Sequence, residues 1–351
     1  MNYANVHLES IGFELPPVVV TSAELESRLA ALYQNLRLAP GQLEALTGIA
    51  ERRWWHEDYP LSEGAIAAAR KALAKSQIPA RDIQTLIYAG VCRENFEPAT
   101  ACAVAAGLGG GVAPDAYIYD ISNACLGVLN GIIDIANRIE LGQITAGMVV
   151  SCESAREIND IMIRAMLQNP TMPMFTQSLA TLTGGSGAVA LILTHKSRTP
   201  DHRRRLLGAT ALAAPQHHRL CRWGLAPASP AGNDLTPFMA TDSVSVLKHG
   251  VELGTRTWQN FLIQRGWNAA EVDKIICHQV GHGHRNTILK EMHIAVEKDF
   301  STFPYLGNIG TVSLPLTAAL AEQRGFLKPG DRVGFLGIGS GLNCLMLGWE
   351  W

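Results

Sequence analysis

Of seven cysteines, one stands where a thiol can do chemistry. Cys125 lies in Asp120-Ile121-Ser122-Asn123-Ala124-Cys125-Leu126-Gly127, after an apolar run and at the start of a helical pattern. Unpaired N–H groups and the dipole at a helix start favour a thiolate, lowering a thiol pKa from about 8.5. The competing reading is a small buried hydrophobe, the usual state of a free cysteine. His278 closes a second apolar run, Ile275-Ile276-Cys277-His278-Gln279-Val280. A histidine at the C-terminal end of an α/β strand points into the crevice where ligands bind; a satisfied core histidine is the alternative. Asn308 sits in Leu306-Gly307-Asn308-Ile309-Gly310, where flanking glycines allow a tight turn that exposes the amide. An ordinary turn asparagine fits equally. Gly337-Ile338-Gly339-Ser340-Gly341-Leu342 is too glycine-rich for a strand interior and suits a bend where backbone N–H groups approach a ligand. Glu97, in Phe96-Glu97-Pro98-Ala99-Thr100, reads locally as a cap for a helix beginning near Pro98.

Other chemistries fail on spacing. His278, His282 and His284 suggest a metal site, because histidines at i and i+4 on a helix share a face. No HExxH is present, and Gly281 and Gly283 place a loop before the next helix, so no metal is assigned. The absence of CxxC excludes a zinc ribbon or a thioredoxin motif. No GxSxG elbow is present. The terminal glycines are not a dinucleotide fingerprint, because a strand follows rather than a helix.

The elements that must position these residues alternate in type. Residues 6–11, 84–91, 117–121 and 147–151 read as strands, and 62–75 as an alanine-rich helix. Thr21 and Glu24 form a capping box that opens another helix. Leu126, Leu129, Ile132, Ile133, Ala136 and Ile139 recur at helical spacing directly after Cys125. This alternation predicts α/β layers with parallel strands. Residues 195–205 are the most charged segment and read as a solvated connector. The halves it separates echo each other in order: 82–87 with 272–276, 142–150 with 330–336, and 185–191 with 339–345. Their shared order suggests a duplicated α/β fold, divided as 1–198 and 199–351.

The 351 residues are 47% hydrophobic and only 17% charged, which excludes a disordered chain and implies much buried surface, including a subunit interface. A net charge of −2 gives no general attraction to nucleic acid. Irregularly spaced cysteines in a chain of this size read as reduced thiols. The first residues carry no secretory signal. Residues 165–194 lack Asp, Glu, Lys and Arg, but Pro170, Pro173 and Gly184-Gly185-Ser186-Gly187 interrupt them, so they do not read as a transmembrane segment. The expected location is the cytoplasm.

Taken together, Cys125 at a helix start, His278, Asn308 in its Gly-Asn-Ile-Gly loop and the terminal Gly-Ser-Gly hairpin resemble the thiolase superfamily. The resemblance is to the ketoacyl synthase III branch and runs from Gly48-Ile49-Ala50-Glu51-Arg52-Arg53 to Cys344. Glu97-Pro98-Ala99-Thr100-Ala101 and Leu336–Cys344 look more like OleA-type enzymes, which join two fatty acyl-CoA molecules head to head, than like FabH-type enzymes.

The resemblance implies a duplicated thiolase fold with five α-β-α-β-α layers. It implies that Cys125 becomes acylated and that backbone N–H groups of Cys125 and Ser340 hold the oxyanion. His278 and Asn308 would stabilise the enolate of a second thioester. Glu97, reaching in from the other subunit of a homodimer, would remove the α-proton. A malonyl donor makes its own carbanion by losing CO₂; an unactivated acyl-CoA needs such a base. No cofactor is implied, acyl-CoA being the substrate.

Histidines 282 and 284 depart from the relatives' usual pattern. Met162, Met166, Met172, Met174 and Phe175 suggest either an adaptable acyl channel or a packed interface. Arg203–Arg205, Arg219 and Arg222 are candidates for CoA phosphates or for plain surface. Three further readings stay open: a ketoacyl synthase III using a malonyl thioester on an acyl carrier protein, a Cys125-dependent acyltransferase or thioesterase, and a non-catalytic relative.

Overall fold

The computed structural model describes residues 1–199, 204–227 and 234–351; Arg203 and part of the charged connector lie outside them. Thirteen strands occur among the described residues: β1 (Val6–Glu14), β2 (Val18–Thr21), β3 (Glu51–Trp54), β4 (Thr85–Ala89), β5 (Tyr117–Ile121), β6 (Ala146–Glu153), β7 (Gly187–His195), β8 (Arg205–Ala213), β9 (Cys221–Pro227), β10 (Leu235–Thr241), β11 (Lys274–Cys277), β12 (Arg332–Gly339) and β13 (Asn343–Glu350). Nine form one sheet in the order β11-β12-β13-β8-β1-β7-β6-β4-β5.

This order contains the same arrangement twice. On one side run β4, β6, β7 and β1; on the other run β11, β12, β13 and β8. The three sequence echoes fall on β4/β11, β6/β12 and β7/β13, strands that hold equivalent places. The outer strand β5 has only a short counterpart, a parallel bridge between Ile275 and Asp299. The two sets meet where β1 pairs with β8 at His7 and Arg205. The expectation of parallel strands needs correction. Only β4/β5, β4/β6 and β11/β12 are parallel, whereas β7, β1, β13 and β8 pair antiparallel. Periodicity records which face a side chain takes, not which way its strand runs.

Strand alternation then builds layers. On β4 and β6, Leu86, Tyr88, Met148, Val150 and Cys152 pack against the helices Leu61–Ala74 and Thr100–Gly107. Their neighbours Ile87, Ala89 and Val149 face the opposite way, onto the helix Gly127–Glu140. On β13, Cys344 and Met346 meet the helices Ser243–Arg265 and His282–Glu291, while Leu345, Leu347 and Trp349 turn inward. The helices Gly127–Glu140 and Ser313–Gln323 share one core with strands of both sets. The order of packing is therefore helix, strand, helix, strand, helix, which is the five-layer thiolase architecture.

Two additions frame the site. The paired strands β2 and β3 join the helices Ser22–Arg28, Ala30–Leu36 and Gln42–Thr47 in a separate core. The hairpin β9–β10 crosses the helices Arg156–Gln168 and Met172–Ser178. The end of the first of these helices, the second helix and β7 fall in the charge-free stretch, and no described helix is long and apolar enough to cross a membrane.

Candidate active site

Cys125 stands on a sharp elbow between β5 and the helix Gly127–Glu140. Ala124 holds φ at 46°, a left-handed conformation that costs a non-glycine residue about 1–2 kcal/mol. The helix begins two residues after the cysteine, and its first N–H groups are already committed. Leu126 donates to Asn123 O at 2.9 Å, and Val128 donates to Thr311 Oγ1 at 2.7 Å. The expectation of a lowered thiol pKa is therefore overturned. Burial pushes the Cys125 thiol up to about 12, and Cys221 and the Glu153 carboxylate add to the rise. At neutral pH Cys125 is a thiol.

The terminal Gly-Ser-Gly turn lies against this elbow. A Cβ on Gly337 would stand 2.6 Å from Leu129 Cδ1, and one on Gly339 would stand 3.5 Å from the Cys125 backbone nitrogen. The glycines therefore let β12 approach the cysteine helix and bring Ser340 beside Cys125. Asn343 Nδ2 donates to Asn123 Oδ1 at 3.0 Å, which ties the far side of the turn to the elbow.

His278 follows β11, where its N–H donates to Leu336 O of β12 at 2.9 Å. Its side chain is buried. Burial, then the neighbouring His284, holds its pKa down at about 3, so it is a neutral imidazole at neutral pH. Gln279, next in the chain, is also buried. Its Oε1 accepts from the Thr302 and Phe303 N–H groups at 2.7 and 2.9 Å, and its Nε2 donates to Phe300 O at 2.7 Å. These bonds fasten the strand end to the turn that leads into Asn308. Asn308 Oδ1 accepts from the Gly310 N–H at 3.1 Å, a bond that does not use the Nδ2 donor. Backbone bonds from Asn308 N to Thr183 O and from Gly185 N to Asn308 O, both 2.9 Å, hold that loop on the Gly184–Gly187 turn. The structure thus ties the terminal glycine turn to the Cys125 elbow, and the end of β11 to the turn before Asn308.

Two further buried charged residues support these loops. Glu153, at the end of β6, buries a carboxylate that accepts from the Val91 and Cys92 N–H groups at 3.0 and 3.2 Å. It also lies beside Gly310, and burial raises its pKa. The available signal was a lone acid ending an otherwise uncharged strand. Gln279 showed a similar signal, a polar residue between His278 and Val280. Arg52 is fully buried, donates to Val20 O, Ser22 Oγ and Leu182 O, and packs beside Gly307.

Glu97 is not with the others. It is exposed on the loop before the helix Thr100–Gly107, next to Phe96, which is 96% exposed. Nor does it cap that helix: Thr100 and Ala101 donate to the Asp120 carboxylate, each at 2.9 Å. Met166 and Phe175 pack in the core with Leu25, Leu32 and Tyr33, and Met162 is buried. Met174 lies at the edge of that core and Met172 is exposed. His282 and His284 belong to the first turn of the helix His282–Glu291, not to a loop before it. Arg204 and Arg205 pair with Glu322 and Glu350 at 3.4 and 2.8 Å, whereas Arg219 and Arg222 are exposed around the base of the β9–β10 hairpin.

Comparison with known proteins agrees with this geometry. Residues 46–184 match the family model for the thiolase N-terminal domain, and residues 262–351 match that for the 3-oxoacyl-[acyl-carrier-protein] synthase III C terminal. An acyl-CoA:acyl-CoA alkyltransferase of Shewanella oneidensis is 60% identical over 354 residues, covering 100% of both chains. One from Xanthomonas campestris is 34% identical over 352 residues, again covering 100% of both. A crystal structure of Xanthomonas campestris OleA superposes with a TM-score of 0.92 at 33% identity, covering 100% of this chain and 98% of that one. Fold and site define a condensing enzyme of the thiolase class, an acyltransferase that forms carbon–carbon bonds. Within that class, the chain belongs to the acyl-CoA:acyl-CoA alkyltransferase family.

Proposed function

We propose that the protein joins two fatty acyl-CoA thioesters head to head by a non-decarboxylative Claisen condensation. The 60% identity across the whole chain to an acyl-CoA:acyl-CoA alkyltransferase carries this reading, and the presence of Cys125, His278 and Asn308 supports it. In the first half-reaction, Cys125 sulfur attacks the thioester carbonyl, backbone N–H groups of Cys125 and Ser340 hold the oxyanion, and CoA leaves as its thiol. In the second, Glu97 takes the α-proton of another acyl-CoA. The neutral His278 and the Asn308 amide donate to its carbonyl oxygen as the enolate forms. The enolate carbon attacks the acyl group, Cys125 is expelled, and a β-ketoacyl-CoA results; water then cleaves its thioester to a β-keto acid and CoA.

In this reading no cofactor takes part, and the protein acts in the cytoplasm as a homodimer. The exposed Glu97 loop of one subunit reaches the other subunit's Cys125. Residues 1–198 carry the nucleophile, and residues 199–351 carry His278 and Asn308. Met162, Met166, Met172, Met174 and Phe175 border an acyl channel, and the exposed Arg219 and Arg222 meet the CoA phosphates.

The test supplies a long-chain acyl-CoA alone. The expected products are free CoA and β-keto acid, with Glu97→Ala still acylating Cys125 but losing condensation by at least about a hundredfold. A requirement for malonyl-acyl carrier protein would replace this reading with a decarboxylative one. Fatty acid as the sole product would mean hydrolysis.

A further inference from the structure

We infer that one buried water joins His278 to His284, and that His284 is thereby a positioning residue that fixes the tautomer of His278. The inference rests on the reading of His278 as a hydrogen-bond donor to the second thioester. It starts from a cavity of about 20 Å³ lined by His278, His284, Cys277, Cys344, Ile288 and Met292. One water needs about 10–15 Å³ and several polar partners. The Nδ1 atoms of both histidines are buried and have no protein partner among the described residues.

The chemistry of neutral imidazole makes this arrangement specific. One ring nitrogen carries the proton and the other accepts. Burial keeps both rings neutral, with pKa values of about 3 and about 4. For His278 to donate from Nε2, its Nδ1 must be bare. A bare acceptor buried without a partner costs about 1–3 kcal/mol. Two bare Nδ1 atoms cannot satisfy each other, but a water can donate one hydrogen to each. Cys344, held as a thiol by burial, lines the same cavity and offers a weak S–H donor to the water oxygen, whereas the Cys277 S–H is engaged by the Asp299 carboxylate. So bridged, both rings are Nε2–H tautomers, and the proton of His278 faces the site.

Nitrogen-15 NMR of histidine-labelled protein, recorded without substrate, reads the tautomer directly, with His278→Ala to assign the signals. The wild-type His278 is expected with Nδ1 bare and Nε2 protonated. His284→Phe removes the second acceptor. Gly254→Ala puts a methyl at the cavity wall without touching either imidazole, its Cβ facing the movable ends of Ile288 and Met292 at 3.0 and 3.1 Å. Both variants should mix the His278 tautomers and cut condensation by at least about tenfold, while Cys125 still releases one equivalent of CoA on acylation. His284→Asn, which can offer Oδ1 in place of Nδ1, should restore a single tautomer. If His284→Phe fails to fold, Gly254→Ala carries the test. A His278 tautomer unchanged in the folded variants, or an Nδ1-protonated His278 in the wild type, overturns the inference. Because the spectrum needs no substrate, it stands apart from whether two acyl-CoAs condense.

Discussion

Desolvation of its sulfur, with Cys221 and the Glu153 carboxylate, raises the pKa of the half-buried Cys125, so its thiolate is scarce at neutral pH. The sign is fixed by the direction of the shift: a thiol pushed up to about 12 loses its proton only in strong base. Alkylation of Cys125 by iodoacetamide should therefore be slow at pH 7 and rise about tenfold per pH unit through pH 10, because only the thiolate reacts. Peptide mass mapping, with the exposed Cys102 as internal reference, follows this. A plateau below pH 8 would contradict it. The high pKa also assigns work to the substrate, since attack on the thioester must be coupled to loss of the thiol proton. Cys125 itself was legible in the sequence because it stands between a strand pattern and a helix pattern. Its protonation state was not, because that depends on atoms that cover it from elsewhere in the chain, Glu153 and Cys221 among them.

At the scale of elements, the site is a set of strand ends clipped together by turns. Gly185 shows how tightly. A Cβ there would run into the carbonyl oxygen of Leu306, a backbone atom that cannot rotate away, while the Gly185 N–H is held by Asn308 O at 2.9 Å. Gly185→Ala should cost about 3 kcal/mol in denaturant unfolding. It should lower condensation by about a hundredfold through displacement of Asn308, with acylation of Cys125 much less affected. Equal loss of both half-reactions would show that the turn does not act through Asn308. The strands and the helix after Cys125 were readable from period alone. Strand direction was not, and neither was the start of the helix at His282, because Gly281 and Gly283 are equally at home in a loop. Gln279 and Glu153 were visible as polar residues at apolar strand ends, but their partners lie 21 or more residues away along the chain.

At the scale of the molecule, one subunit places Glu97 on its surface and leaves Cys125 half-buried. Proposed action across a dimer makes a quantitative prediction. Neither Cys125→Ser nor Glu97→Ala homodimers should condense acyl-CoA. After subunit exchange in an equal mixture, half the dimers are mixed, and each has one intact site, so about a quarter of wild-type activity should return. Continued inactivity of a mixture shown to exchange would place both residues in one subunit.

The low charge fraction now has a location as well. Part of it reflects the buried strands β4 and β7, which carry no Asp, Glu, Lys or Arg, while the central helices Gly127–Glu140 and Ser313–Gln323 form one core with strands from both halves of the sheet. Most residues of both helices are buried. The halves repeat one another in topology but not in autonomy. Separating them would strip each of a wall of its own interior, so a chain nicked within the connector should stay associated as a single body rather than fall into two domains.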